Sequence, residues 1–167
     1  LYSSGNWGGW NHHLRGNIDG YVRSASENKK LQMHIGGHVD AFYSDEGKTE
    51  LLRWYDYWLK DIDTGIMDEP PIKLCVRTSL RECEWRFENE WPLARTQYRE
   101  YYLTTSPADV VDDAIHDLML SDQPLARPAE LSYASGSEAY SRANRGLPTV
   151  SFVSEPLEEA VEVTGHI

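Results

Sequence analysis

The hydrophobic pattern of this sequence changes its period once, at the Pro70-Pro71 pair, and this change constrains the fold more than any other feature. Up to the prolines, apolar residues recur at helical spacing, most clearly over residues 44–60. Beyond them, apolar and polar residues alternate, as over residues 72–77. The change predicts an α/β region over residues 1–69 and an all-β region over residues 70–167.

The first region has the order strand, helix, strand, loop and helix, which is typical of a parallel α/β sheet. Ser44 is a good N-cap for the last helix, and the carboxylates of Asp45 and Glu46 suit the positive end of its dipole. The predicted segments are a strand at 1–4, a helix at 12–28, a strand at 30–35 and a helix at 44–60, whose Trp54, Tyr55 and Trp58 we expect to pack on the sheet.

Alternation in the second region predicts strands with one exposed face. These strands lie at 72–77, 83–88 and 98–103, with weaker patterns at 131–134, 149–153 and 160–163. A long acidic connection runs from Pro107 to Pro128, and within it Ile115–Leu120 fits either a strand or one helical turn. We expect Trp85 and Trp91 to fill the core of this region or its interface.

Net charge and cysteine content limit the classes of partner and compartment. The formal net charge is −11, so a polyanion repels the chain and we expect no nucleic-acid partner. No apolar run approaches the roughly 20 residues that cross a bilayer, so we expect no membrane span. Cys75 and Cys83 lie on two predicted strands, and the sequence does not determine whether they form a bridge. Because two cysteines do not make a disulfide framework, we predict a cytoplasmic protein.

His38 is the candidate catalytic residue. It follows a predicted strand and two glycines, and α/β hydrolases carry their catalytic histidine on such a loop after the last strand. Taken alone, the pattern is more typical of a surface or hydrogen-bonded loop histidine. His34 is the rival, and alternation within its strand favours a packed histidine with satisfied ring nitrogens.

Other polar clusters predict no metal or cofactor. The adjacent His12 and His13 point apart on a helix, whereas a metal pair needs i, i+4 spacing. The segment Asp61–Gly65 lacks the later ligands of a calcium loop and is interpreted as a helix-end turn. No Gly-x-Ser-x-Gly elbow is present, and Ser135, Ser137 and Ser141 fit a solvated loop. For the loop tryptophans Trp7 and Trp10, packing is favoured over a role in a substrate pocket.

Several sequence blocks follow one another along nearly the whole chain. They are Gly5–Gly9 with His13–Asn17, His34–His38 with Phe42-Tyr43, Trp54–Lys60 with Asp63 and Gly65, Pro70–Ile72 with Val76-Arg77, Glu90–Thr96, and Glu155–Glu158 with Val163–Gly165. Together these blocks resemble the CocE/NonD family, which includes cocaine-esterase-like hydrolases and Xaa-Pro dipeptidyl-peptidases.

The resemblance implies the C-terminal end of an α/β-hydrolase domain over residues 1–69, followed by the first part of a jelly-roll-like β-sandwich. It implies a serine hydrolase that cleaves ester or amide bonds, including Xaa-Pro dipeptidyl bonds, with His38 as general base. The nucleophile would lie upstream of Leu1, so the expected partners are a small ester or peptide substrate and the missing catalytic portion of the same chain. Both termini look cut, and we expect the isolated 167 residues to be inactive.

The catalytic acid departs from the family pattern. Many members carry an aspartate shortly after the strand that corresponds to residues 1–4, and here Gly8 stands at about that place. Asp19 and Asp40 are nearby in sequence, without a geometric reason to prefer either. The alternative function is a non-catalytic binding or structural segment, favoured by the alternating aromatic strands and the absent nucleophile.

Overall fold

The chain folds into two compact units in a computed structural model, one over Leu1–Thr96 and one over Gln97–Thr164. The structure describes residues 1–9, 13–79, 82–107, 117–128, 130–131 and 150–164. The elements of the first unit are β1 (Tyr2–Asn6), α1 (Leu14–Arg23), β2 (Lys30–His34), α2 (Asp40–Tyr43), α3 (Asp45–Lys60), β3 (Ile72–Arg77) and β4 (Cys83–Glu88). Within these described ranges, no helix is both long and apolar enough to cross a membrane.

The first unit is built on a mixed four-stranded sheet in the order β1-β2-β3-β4. β1 pairs with β2 and β2 with β3 in parallel, while β3 and β4 form an antiparallel pair. The predicted order of strand, helix, strand and helix is therefore confirmed for this unit. Because β3 pairs with β2, the strands after Pro70-Pro71 continue the same sheet. The division of domains between residues 69 and 70 stays a prediction.

The face of the sheet that α1 covers holds the hydrophobic core. Ile18 and Tyr21 of α1 are buried against the alternate strand residues Leu31, Met33, Ile72 and Leu74, and Trp91 and Leu93 complete this cluster. Burial of each such side chain contributes roughly 1.5–3 kcal/mol. Trp91, expected in the core of the second region, thus packs in the core of the first unit.

The opposite face is polar, and α3 packs on it through polar side chains. The Tyr2 hydroxyl donates to Gln32 Oε1 at 2.5 Å and to Glu50 Oε1 at 3.1 Å. Burial and the Glu50 carboxylate raise the pKa of Tyr2 well above its usual range. Arg53 Nη2 donates to Glu69 Oε1 at 2.5 Å. The polar face of the sheet therefore packs against the polar side of α3.

This arrangement corrects the expected packing of α3. Trp54 does pack on the sheet, with its ring 5.3 Å from the Tyr2 ring. Tyr55 and Trp58, however, are 52% and 40% exposed. The apolar stripe that predicted the helix faces outward because Tyr2, Gln32 and Lys73 make the underlying sheet face polar. The stripe consists of Leu51, Leu52, Tyr55, Trp58 and Leu59, of which all but Leu51 are exposed.

Both ends of α3 agree with the sequence prediction. Ser44 Oγ accepts a hydrogen bond from the Gly47 amide at 3.1 Å, which is the predicted N-cap. Asp61 ends the helix in the left-handed conformation, with φ of 55°. Asp63 Oδ1 accepts from the Gly65 amide at 3.0 Å, so the interpretation of this segment as a helix-end turn is confirmed.

β3 and β4 are joined by a disulfide between Cys75 and Cys83, whose Cα atoms lie 5.5 Å apart. The sequence alone did not determine whether these two cysteines form a bridge. Trp85 and Phe87 share the same face of β4 and are 49% and 43% exposed. Trp85 was expected in the core of the second region or at its interface, and its exposure is a correction, because β4 is the edge strand of the first unit's sheet.

The second unit contains a three-stranded sheet in the order β5 (Tyr102–Pro107), β6 (Asp117–Ser121) and β7 (Ser151–Val153). The segment Ile115–Leu120 fitted either a strand or a helical turn, and its described residues from Asp117 onward belong to the strand β6. β5 begins at Tyr102, later than predicted. The strand predicted at 160–163 is wrong: these residues are irregular, and Val163 is 80% exposed. Of the strand predicted at 131–134, only Leu131 belongs to the described residues. Ser135, Ser137 and Ser141 lie outside them as well.

Candidate functional site

A cleft opens where the parallel strands β1 and β2 end side by side. Asn6 and His34 are register partners at the last positions of these strands. In α/β sheets, ligands bind at this carboxyl edge. The cleft has a volume of about 410 Å³, and its lining residues are Ser4, Gly5, Asn6, Gly9, His13, Gly16, Asn17, His34, His38 and Phe42.

Two glycines shape the loop that carries His38. Gly36 has φ of +96°, a conformation that favours glycine. The Gly37 amide donates to Asp40 Oδ2 at 2.5 Å. A Cβ on Gly37 would lie 2.7 Å from Asp40 Oδ1, so a side chain there would displace the Asp40 carboxylate from its present position. The conformation of the His38 loop therefore favours glycine at residue 36 and leaves room for the Asp40 contact at residue 37.

Asn6 connects the end of β1 to the same loop. Its side chain is 7% exposed. Asn6 Nδ2 donates to the carbonyl oxygens of Gly36 at 3.0 Å and Gly37 at 3.3 Å, while Asn6 Oδ1 accepts from the Gly8 amide at 2.7 Å. Both halves of a buried amide are thus hydrogen-bonded, as burial of a polar group demands.

His38 lies on the rim of the cleft and is exposed. Its ring centroid is 5.0 Å from that of His13, and the ring planes are tilted by 36°. His13 stands immediately before α1, where its amide donates to the Gly9 carbonyl at 3.0 Å. The structure therefore brings together two histidines from separate loops at one cleft.

His34 is packed, as predicted. It is 4% exposed, and its Nδ1 lies 3.3 Å from the Ile35 carbonyl oxygen. Burial lowers the pKa of His34; the hydrogen bond to Ile35 opposes this effect, and His38 adds to it. The ring therefore favours the neutral form at the cleft wall.

The three positions considered for a catalytic acid are Asp40, Asp19 and Gly8, and each lies against a different neighbour. Asp40 bonds to the amide of its own loop, and Asp19 pairs with Arg15 at 3.5 Å and with Arg23 at 4.0 Å. A Cβ on Gly8 would lie 3.1 Å from Asn6 Oδ1, so the asparagine occupies the space beside this glycine.

Sequence analysis missed Asn6 and Asn17 as members of the cleft. Asn17 Nδ2 donates to the Ser4 carbonyl at 2.9 Å, and its side chain lines the cleft from α1. The only available signal was their position beside glycines in the first block of the family resemblance. Among the described residues, no group of three or more His, Cys, Asp or Glu side chains is placed to hold a metal ion.

Trp7 packs against the hydrophobic core of the first unit. Its Nε1 donates to the Cys75 carbonyl at 2.9 Å, and its ring lies 6.4 Å from that of Trp91. The packing role favoured for Trp7 is thus confirmed, whereas Trp10 and His12 lie outside the described residues.

Several known proteins have sequences similar to parts of this chain. The family described as X-Pro dipeptidyl-peptidase C-terminal non-catalytic domain matches residues 64–167. A Mycobacterium tuberculosis protein named as a candidate serine esterase is 30% identical over 128 residues, which are 71% of this chain and 20% of that protein. A Bacillus anthracis protein named as a candidate Xaa-Pro dipeptidyl-peptidase is 33% identical over 64 residues, or 38% of this chain and 10% of its own length.

Solved structures show the same relationship. A CocE/NonD family hydrolase from Staphylococcus aureus aligns over 63% of this chain and 19% of its own, with 26% identity and a TM-score of 0.57. A second crystal structure described as a CocE/NonD family hydrolase from S. aureus aligns over 74% of this chain and 20% of its own, with 23% identity and a TM-score of 0.60. The chain spans about a fifth of the length of the first curated relatives that it matches.

Proposed function

The chain belongs to the X-Pro dipeptidyl-peptidase C-terminal non-catalytic domain family and is CocE/NonD-like, and on that premise we propose that it carries His38, the general base of a serine hydrolase. The observation that supports this role most is the position of His38 on the loop after β2, at a cleft on the carboxyl edge of parallel strands. Proteins similar to this chain are named as a serine esterase and an Xaa-Pro dipeptidyl-peptidase, which supports this reaction class.

The proposed reaction is acyl transfer through a serine ester. A serine from outside these 167 residues attacks the carbonyl carbon of an ester or amide, including an Xaa-Pro dipeptidyl bond. His38 takes the serine proton and passes it to the departing alcohol or amine. His38 then takes a proton from water as its oxygen attacks the acyl ester, and passes that proton to the departing serine oxygen, which releases the acid and restores the free serine and neutral His38. No cofactor is needed for these steps.

The exposure of His38 suits this role, since a general base must reach both the nucleophile and the substrate. The backbone of the His38 loop is held by the conformation of Gly36 and by the hydrogen bonds from Asn6 Nδ2 to the Gly36 and Gly37 carbonyls. A rigid loop supports catalysis because small displacements of a reacting group lower the rate steeply.

The proposed domain assignment follows the same premise. Residues 1–69 would form the C-terminal end of an α/β-hydrolase catalytic domain, and residues 70–167 the first part of a jelly-roll-like β-sandwich. The catalytic portion that supplies the serine is the expected partner, together with a small ester or peptide substrate. The 167 residues alone should then be inactive.

Fluorophosphonate labelling of the full-length protein tests the proposal. The probe reacts with an activated serine, so wild-type protein should be labelled and the His38→Ala variant should lose labelling by at least about 100-fold. Val39→Ala is the matched control, because this neighbouring loop side chain is 50% exposed and does not line the cleft. Full labelling of a folded His38→Ala variant would remove His38 from the mechanism.

A second candidate function is a non-catalytic binding or structural role for residues 70–167. The exposed pair Trp85 and Phe87 on β4 favours it, because adjacent aromatic faces on a sheet can stack on sugars. Lys73 Nζ lies 5.2 Å from the Trp85 ring centroid and adds a hydrogen-bond donor beside it. Glycan-array binding by the full-length protein that is lost in Trp85→Ala would support this function, and an empty array would count against it.

The cytoplasmic location stays a prediction. The disulfide between Cys75 and Cys83 weighs against it, because cytosolic thiols are kept reduced. Alkylation of the two thiols in freshly lysed cells, before any reduction, would place the protein in a reducing compartment.

A further inference from the structure

We infer that Asn6 is a positioning residue for His38 and provides, through the backbone of the His38 loop, the orientation expected from a carboxylate at residue 8. This inference rests on the proposed role of His38.

The hydrogen bonds of Asn6 reach two separate segments of the chain. Asn6 Nδ2 donates to two successive carbonyls, those of Gly36 and Gly37, immediately before His38. Its Oδ1 accepts from the Gly8 amide on the other side. A single amide therefore ties the end of β1 to the loop after β2, across about thirty residues of sequence.

The Asn6 side chain itself is buried, at 7% exposure, which limits the access of competing water to its amide. Loss of the Nδ2 donor would remove one hydrogen bond from the Gly36 carbonyl and one from the Gly37 carbonyl, which also accepts from the Asp40 amide at 3.2 Å. The Gly37 amide donates to Asp40 within the loop, so Asn6 adds the connection to β1 that this internal contact does not provide.

Asn6 also occupies the space beside Gly8. A Cβ at residue 8 would lie 3.1 Å from Asn6 Oδ1, which is a tight contact. A side chain at residue 8 would therefore require Asn6 Oδ1 to shift by a few tenths of an ångström. The glycine lets the asparagine keep its present hydrogen bonds to the Gly8 amide and to the loop.

The test compares Asn6→Asp, Asn6→Ala and Tyr2→Phe in the full-length protein. Asn6→Asp keeps the size and the acceptor for Gly8 but replaces the donor with a carboxylate that faces two carbonyl oxygens. We expect both Asn6 variants to reduce the fluorophosphonate labelling rate about 10- to 100-fold. For a chromogenic ester, kcat should fall while KM changes little, because misalignment acts on the transition state.

Tyr2→Phe is the control, since it removes a hydrogen-bonding hydroxyl from the other end of β1, away from the cleft. Its labelling rate should stay within about threefold of wild type. Hydrogen exchange of peptides covering residues 35–40 gives a readout independent of activity. Exchange there should rise at least tenfold in Asn6→Ala and stay unchanged in Tyr2→Phe.

The possible outcomes separate the positioning role of Asn6 from the hydrolase function proposed for His38. Unchanged exchange over residues 35–40 in both Asn6 variants, or faster labelling in Asn6→Asp, would overturn the positioning role. Faster exchange without any loss of labelling would overturn it as well. Faster exchange in Asn6→Ala, together with no labelling of the wild-type protein, would support the loop contact while rejecting the proposed hydrolase function.

Discussion

At the scale of single residues, the burial of His34 makes a testable contribution to stability. The ring is 4% exposed, and burial lowers its pKa, with His38 reinforcing the shift and Asp40 opposing it. The unfolded chain restores an ordinary histidine pKa near 6.5. Below that pH the unfolded state binds a proton that the folded state does not. The stabilising contribution of neutral His34 is therefore complete above about pH 6.5 and is lost as the pH falls towards the lowered folded pKa.

We predict that the free energy of unfolding falls between pH 7.5 and pH 5.5, and that His34→Gln flattens this fall. One buried histidine can contribute at most about 1.4 kcal/mol per pH unit over this window. Urea denaturation at several pH values measures the difference in slope between the variant and wild type. Identical slopes would mean that His34 titrates alike in both states.

At the scale of elements, the junction between α2 and α3 depends on Gly47. An added Cβ would lie 1.8 Å from the Ala41 carbonyl oxygen, which is backbone and cannot rotate away. Gly47→Ala should therefore destabilise the protein by about 2 kcal/mol, although alanine favours helices. The midpoint of urea denaturation measures the change.

Gly20 provides the matched comparison within α1. It is exposed, and an added Cβ there meets no atom within 4 Å. Gly20→Ala should raise stability by about 0.5–1 kcal/mol through helix propensity alone. Shifts of the same sign for both glycines would contradict the steric argument.

At the scale of the whole molecule, apolar side chains remain on the surface of the 167 residues. Leu52, Tyr55 and Leu59 of α3 are 59%, 52% and 75% exposed, and Trp85 and Phe87 add aromatic surface on β4. Clustered exposed apolar groups mark surfaces that associate with other protein. We predict that the isolated 167-residue chain aggregates or binds a hydrophobic dye such as ANS. A clean monomer with one sharp unfolding transition and no dye binding would contradict this.

The family resemblance and most elements of the first unit could be predicted from the sequence, because their signals are local. The N-cap at Ser44 and the alternation over residues 72–77 and 83–88 each act within one element, and the structure agrees with them. The strand predicted at 160–163 shows the limit of such signals. Alternation there is present, but a strand also needs a partner, and residues 160–163 are irregular in the structure.

By itself, then, the sequence determined most of the helices and strands of the first unit, though not α2, and that His38 follows β2 on a glycine loop. Only the tertiary structure decided which side of α3 is buried, because the polar sheet face beneath it selects Glu50 and Arg53. It alone decided that Asn6 meets the His38 loop. The physical reason is the parallel register of β1 and β2, which places residues 6 and 34 side by side and which no local pattern encodes.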